Sequence, residues 1–484
     1  MAFQMRRASV GVLLLAPALL VSSCQGIKPP APTAEPEVLI PPVQPSSVTL
    51  AIRLSSAAIQ AETDANLSAE PGPKGMYWTS GERISKNATI QFGVHRSGPT
   101  RVVADGDRLV FTIPVAIDNG RVDVESHGLL RGTNRYGFGG SGVVTLRVRF
   151  AVGPDWRLRA SAEPGFQWTD RAWVDIPTPV GQYKVDVAKR VEPAIAQKLA
   201  DLAARTEATA ASRDTRAQVE RAWMALQRPI VLSGQPPVAL AIEPLSLSVG
   251  PLGGEGGDLV TRATLIAKLR ARVGAPEPAP PPPRPLPDNS GKAGSDGVSL
   301  SLRIDVPFDE LNARVRQQIV GKVYPLKGQR SLTVTGVSIM PLGRKIQMRV
   351  DFDAHVLPLP FGTLSGWVYF TGLPRYDDDK RQLRIENFGY DEGSRQALIK
   401  AGASRALDRF AQEVSPAMTF DLADKVDPAR RRIMAGIHSA KAGEGNAVLD
   451  VSVGSFELSD LYVGRQSIGL FATARGHAMV SVSP

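Results

Sequence analysis

The chain has 484 residues, 43% of them hydrophobic, and carries 57 Lys and Arg against 47 Asp and Glu for a formal net charge of +10. That length exceeds what one hydrophobic core usually holds and points to several domains, and the basic balance favours anionic partners. A single cysteine excludes an internal disulfide, and without zinc-finger spacing or a Lys/Arg run interleaved with aromatics, nucleic acid is not an expected partner.

At the N-terminus, Arg6 and Arg7 precede an apolar run from Val10 to Val21 that ends in Val21-Ser22-Ser23-Cys24. The run is shorter than the roughly 20 apolar residues that cross a bilayer, and Pro17 interrupts it, so residues 1–23 read as a cleaved signal peptide. A cysteine after two small residues resembles the lipobox of bacterial lipoproteins, which implies that Cys24 is acylated and becomes the mature N-terminus. Gln25 in place of Asp implies, by the same resemblance, an outer-membrane lipoprotein facing the periplasm. The expected partners are the membrane, through that anchor, and a lipid or lipopolysaccharide ligand.

Seven prolines between Pro29 and Pro45 make residues 24–46 an extended tether, which at about 3.1 Å per residue would stand the body roughly 60 Å off the membrane. Eight prolines among the twelve residues Pro276–Pro287, then a Gly, Ser and Asp stretch, make 274–296 an exposed linker between a first half, 47–273, and a second, 297–484.

The halves look like copies. Val48, Leu50, Ile52 and Leu54 alternate with polar residues and recur as Val298, Leu300, Leu302 and Ile304, a shift of 250. A short helical segment follows each, Ala57–Leu67 and Phe308–Val320. Farther on, alternation over Val144–Phe150 corresponds to alternation over Ile346–Ala354. Helices are then expected in both: one from about Pro193 to Arg205 and one capped by Ser212, matched by one capped by Ser394 and one from about Asp427 to His438. Two long strands end each half, with Leu240, Ile242, Leu247 and Val249 falling opposite Leu449, Val451, Phe456 and Leu458, a shift of 209.

The segments Arg221-Ala222-Trp223, Arg228-Pro229-Ile230 and Ala241-Ile242-Glu243-Pro244-Leu245, with the run from Gly366-Trp367-Val368 to Arg375-Tyr376-Asp377, resemble the bacterial family called domain of unknown function 4403. The likeness covers nearly the whole mature chain and departs at Val238-Ala239-Leu240, where that family tends to place a tryptophan. More remotely, the family resembles the tubular lipid-binding superfamily of bactericidal/permeability-increasing protein. That resemblance implies paired domains in which a twisted antiparallel sheet wraps a long helix and acyl tails lie in the apolar seam. Joined to the element order, it makes the expected fold α+β: two similar halves, each a twisted antiparallel sheet packed around or against long helices.

No H-E-x-x-H or G-x-S-x-G occurs, and Gly139-Gly140-Ser141-Gly142 reads as a loop, so no catalytic residue and no cofactor are expected and the chain is not read as an enzyme. Asp351, Asp353 and His355 share a strand face with Lys345 and Arg349, which favours a solvated face over a metal site. Arg147 and Arg149 lie on the polar phase of one strand and Arg157 and Arg159 on that of the next; if the strands pair, their mutual repulsion makes them a candidate anion site. Leu146, Val148, Phe150, Val350 and Phe352 are the candidate lining of an apolar groove. The expected function is to bind or shield lipid or another apolar ligand in the envelope, the alternative being a scaffold acting through protein contacts. A carrier needs a continuous apolar cavity, whereas a scaffold needs only a packed core.

Overall fold

A computed structural model describes residues 26–67, 76–126, 132–178, 181–232, 237–274, 282–326, 330–355, 363–377, 380, 382–400, 420–421 and 446–483. Strand β1 (Ser46–Leu54) leads through helix α1 (Ser56–Asn66) to β2 (Tyr77–Ser85), β3 (Ala88–Arg96), β4 (Arg101–Asp105), β5 (Arg108–Ser126), β6 (Gly132–Val152) and β7 (Leu158–Asp170), then to the hairpin β8 (Trp173–Thr178) and β9 (Gly181–Asp186). Helices α2 (Ala188–Ser212) and α3 (Thr215–Leu226) follow, and β10 (Ile230–Leu232), β11 (Val238–Val249), β12 (Gly253–Glu255) and β13 (Asp258–Val273) close the first copy. The second copy opens with β14 (Gly297–Pro307), α4 (Phe308–Ile319), β15 (Val323–Leu326), β16 (Arg330–Leu342) and β17 (Lys345–His355). It continues with β18 (Thr363–Asp377), β19 (Gln382–Tyr390), α5 (Glu392–Lys400), β20 (Phe420–Asp421), β21 (Asn446–Val463) and β22 (Ser467–Ser483).

Strands dominate and form several antiparallel sheets, which overturns the expectation of an α+β chain built on long helices. The expectation failed because glycines hide strand from a reading of alternation. β6 runs for 21 residues through Gly139-Gly140-Ser141-Gly142, which is ladder and not loop. Phe166 and Trp168 of β7 fill the space above it, so that a β-carbon at Gly142 would meet the Phe166 ring at 2.5 Å. The helix starts also differ. Asp214, not Ser212, caps α3 by accepting from the Ala217 N–H at 3.1 Å, and Asp391, not Ser394, accepts from the first N–H groups of α5. Ser394 is buried, and its hydroxyl accepts from the Tyr369 N–H at 2.8 Å. The helix expected over 427–438 lies outside the described residues.

The chain forms two compact units, and they do not follow the expected division at 274–296. One gathers Met1–Glu37, Leu311–Arg375 and Arg384–Phe420; the other gathers Val38–Glu310, Tyr376–Leu383 and Asp421–Pro484. The reason lies in the eight-stranded sheet of the second unit, whose path β10-β11-β13-β1-β14-β22-β21 takes the ends of both copies. β1 pairs antiparallel with β13 of its own copy and parallel with β22 of the other, while β14 pairs antiparallel with β22 and parallel with β13. The same irregularity marks both copies: β11 shifts register between Pro244 and Ser246 opposite Ala267 and Ile266, and β21 shifts between Val453 and Ser455 opposite Gly476 and Arg475. Every one of these positions is related by the shift of 209.

The described part of the second proline-rich segment is not an exposed linker. Leu286 is 9% exposed and packs with Trp156 and Trp223. Trp156 Nε1 donates to the Pro287 carbonyl at 2.6 Å and Trp223 Nε1 to the Arg284 carbonyl at 2.9 Å. Asn289 accepts from the Val249 N–H at 2.8 Å and donates to the Val152 carbonyl at 3.2 Å. Proline cannot continue a ladder, so tryptophan indoles and an asparagine amide satisfy the carbonyls and strand ends around it. The first proline-rich segment is likewise no free tether, since Ile27 and Val43 are buried.

Candidate functional site

In the first unit, α4 lies beside the half of β16 that β15 leaves unpaired. β15 pairs only with Arg330–Thr333, so the backbone farther along is met by side chains. Asn312 accepts from the Ile339 N–H at 2.6 Å and donates to the Ile339 carbonyl at 3.0 Å, while Arg316 Nε donates to the Val337 carbonyl at 3.0 Å. Leu311, Val315 and Ile319, spaced by four along the helix, are buried.

A groove of about 690 Å3 opens between α4 and the phase of the sheet opposite its buried strand residues. Ser338, Arg349 and Tyr369 stand in one register row of its floor, with Asp351 in the next. Arg316 and Gln317 form the helical wall. Val320 and Met340, 38% and 39% exposed, supply apolar surface at its rim. A bulge makes room for the acid: β16 shifts register between Val334 and Gly336, where a β-carbon would stand 2.9 Å from Asp351 Oδ2.

Arg349 donates to Asp351 Oδ1 from Nη2 at 2.6 Å and from Nε at 3.0 Å, and this hydrogen bonding raises its pKa against the opposing effect of burial. It is therefore a permanent cation. Its guanidinium also lies 4.3 Å from the centre of the Trp367 ring.

Trp367 joins the groove to the N-terminal segment. Ile27 forms a parallel bridge with Gly366, and the Trp367 N–H donates to the Ile27 carbonyl at 2.8 Å. Trp367 Nε1 donates to the Pro29 carbonyl at 3.1 Å, and Lys28 Nζ stands 5.7 Å from the ring. Only glycine permits this approach, because a β-carbon at Gly366 would collide with the Ile27 carbonyl. Farther along, Lys345 Nζ pairs with Glu35 at 2.9 Å. Residues 26–36 are a strap on the first unit, where the sequence pattern showed only a tether.

The residues expected to line one groove are divided between the units. Val350 and Phe352 are each 1% exposed in the core of the first. Leu146 and Val148 are buried in the second against Ala203 and Leu202 of α2, with Phe150 partly buried beside them. The strands carrying Arg147, Arg149 and Arg159 do pair, with Ala151 opposite Arg159 and Arg147 opposite Glu163, whereas Arg157 lies in the turn before β7 and not on a strand. Carboxylates are interleaved with them: Arg149 meets Asp107 at 2.6 Å, and Arg157 and Arg159 meet Asp155 at 3.9 and 3.0 Å. The repulsion among Arg149, Arg157 and Arg159 that would call for an anion is thus already relieved, and Arg147 is exposed. Asp351 is held by Arg349, and Asp353 and His355 are exposed. Cys24 lies outside the described residues. The sequence pattern gave no sign of Arg316 or Ile27, and it marked Trp367 only as part of the run that carries the family resemblance.

Among solved structures, the chain is similar to P47 from Clostridium botulinum A2, at 10% identity over 89% of this chain and 96% of that one, with a TM-score of 0.23. No curated protein matches the sequence. Residues 44–482 match the family described as Domain of unknown function (DUF4403), and the chain belongs to that family.

Proposed function

We propose that this chain is an outer-membrane lipoprotein facing the periplasm, anchored through Cys24, that holds lipid or another amphiphile at the groove of its first unit and carries out no chemical step. The observation behind this reading is the two-sided chemistry of the groove. Arg316, without a carboxylate partner among the described residues, offers a cation to a headgroup, the Arg349–Asp351 pair makes the floor polar, and Val320 and Met340 offer open apolar surface to a chain. Each Å2 of apolar surface removed from water contributes about 25 cal/mol. The strap adds support: Ile27 is three residues from Cys24, and three residues span at most about 10 Å. An acyl group on Cys24 would therefore tie the Trp367 side of the groove to the bilayer surface. The resemblance to tubular lipid-binding domains belongs to the same reading and is supported by the repeated order of strand, helix, sheet and paired end strands.

A photoreactive phospholipid in membranes bearing the acylated protein tests it. Crosslinks are expected on Val320, Met340 or Tyr369, with a several-fold lower yield in Arg316→Gln. Crosslinks confined to the residues next to Cys24 would leave the scaffold role as the better account.

A further inference from the structure

We propose that the second unit carries a binding site for a phosphate group where β13 meets β14, distinct from the groove and independent of the lipid reading. Lys268, Arg270 and Arg272 alternate along β13 and so share one face of the sheet. Across the ladder to β11 they stand opposite Glu243, Ala241 and Ala239, and across the ladder to β14 Arg270 and Arg272 stand opposite Arg303 and Asp305. Arg284, held by Gln227 and the packed proline segment, completes the ring of cations around a pocket of about 160 Å3.

Glu243 is engaged, and Asp305 is engaged through Oδ2 alone, its Oδ1 being buried without a hydrogen-bond partner. Glu243 pairs with Arg284 at 2.6 Å, and Asp305 pairs with Arg303 at 3.0 Å and with Arg270 at 3.5 Å. Among the described residues, neither Lys268 nor Arg272 has a carboxylate partner, and Arg272 Nε is buried without any hydrogen-bond partner. Cations on neighbouring strands repel, and a buried donor without an acceptor costs free energy. An anion that accepts from several of these groups removes both costs at once.

The packing of the sheet does not demand this arrangement, and the second copy shows it. The shift of 209 places His477, Met479 and Ser481 of β22 at the positions of Lys268, Arg270 and Arg272. The fold is thus built once with the cationic row and once without. The pocket is far smaller than an acyl chain or a macromolecular surface needs, and the alanines at 239 and 241 leave its floor open. A tetrahedral oxyanion, with oxygens pointing to several donors, suits it better than a planar carboxylate. Both a lipid phosphate and a free phosphate monoester carry that group.

The test is thermal unfolding of the full mature protein in detergent, at fixed ionic strength, against inorganic phosphate and against a short-chain phosphatidic acid kept monomeric. A saturable rise in Tm is expected with at least one probe. A larger response to the phosphatidic acid assigns the site to lipid headgroups, and an equal response assigns it to free phosphate. Lys268→Met with Arg272→Met should weaken the response about tenfold or more and should raise Tm without phosphate, since it removes unpaired cations. Arg147→Gln with Arg157→Gln, the same change of charge elsewhere in this unit, should leave the response intact. The proposal fails if neither probe shifts the wild type, or if the Lys268/Arg272 variant folds and responds as the wild type does.

Discussion

Val48 and Val298 stand directly opposite each other across the antiparallel pair β1 and β14. Each is also the other's counterpart in the internal repeat. A residue that meets its own copy marks a local two-fold relation, so β1 and β14 are the seam at which the two copies become one sheet. Neither copy supplies that sheet alone, because each leaves a first strand with an open edge that the other covers.

Val298→Asp places a carboxylate in that seam, at a position only 7% exposed. It should lower stability by about 3 kcal/mol, read as a lower urea midpoint. An unchanged midpoint would show that the seam does not hold the copies together.

Gly366→Val should displace the strap without unfolding the sheet, at a cost of about 1–3 kcal/mol. The Trp367 amide, which donates to Ile27, should then exchange with solvent deuterium much faster. Protection equal to wild type would contradict the strap.

Leu286→Ala should cost about 2 kcal/mol or more, as truncation of a packed leucine does. Limited proteolysis should spare Arg284–Asn289 in the wild type and cut there in the variant. Wild-type cleavage between Trp156's partner Pro287 and Asn289 would show that the segment is not clamped.

Asp64 ties the end of α1 to the sheet, accepting from the Thr100 N–H at 2.9 Å and from Arg96. Burial alone would raise its pKa, but these partners hold it below the ordinary carboxylate value of 3.8. The folded value is depressed, so this contribution is fully present above about pH 4 and is lost as pH falls through the folded value. Asp64→Asn should reduce stability at neutral pH by about 1 kcal/mol and flatten the loss below pH 4. A variant with the wild-type acid profile would place the acid sensitivity elsewhere.

Cys24→Ser should abolish incorporation of labelled fatty acid and leave an unanchored or uncleaved chain. Continued acylation would remove the lipoprotein reading.

The sequence by itself determined what short-range chemistry controls. Alternation at Val48–Leu54 and Val298–Ile304 marked the first strands of both copies, and an ungapped match over their ends marked two strands apiece, whereas the bulge these ends share shows only in the pairing. Alternation is a property of consecutive residues and survives without knowledge of partners. The tertiary structure alone decided what depends on residues far apart. Leu286 looked exposed among prolines until Trp156 and Trp223 enclosed it, and Ile27 looked like tether until Gly366, 339 positions later, let its backbone approach. Arg149, Arg157 and Arg159 looked like part of an anion site until Asp107 and Asp155 took up their charge, while Lys268 and Arg272 emerged without carboxylate partners among the described residues. Burial and charge balance are sums over neighbours in space, and no local pattern in the chain contains them.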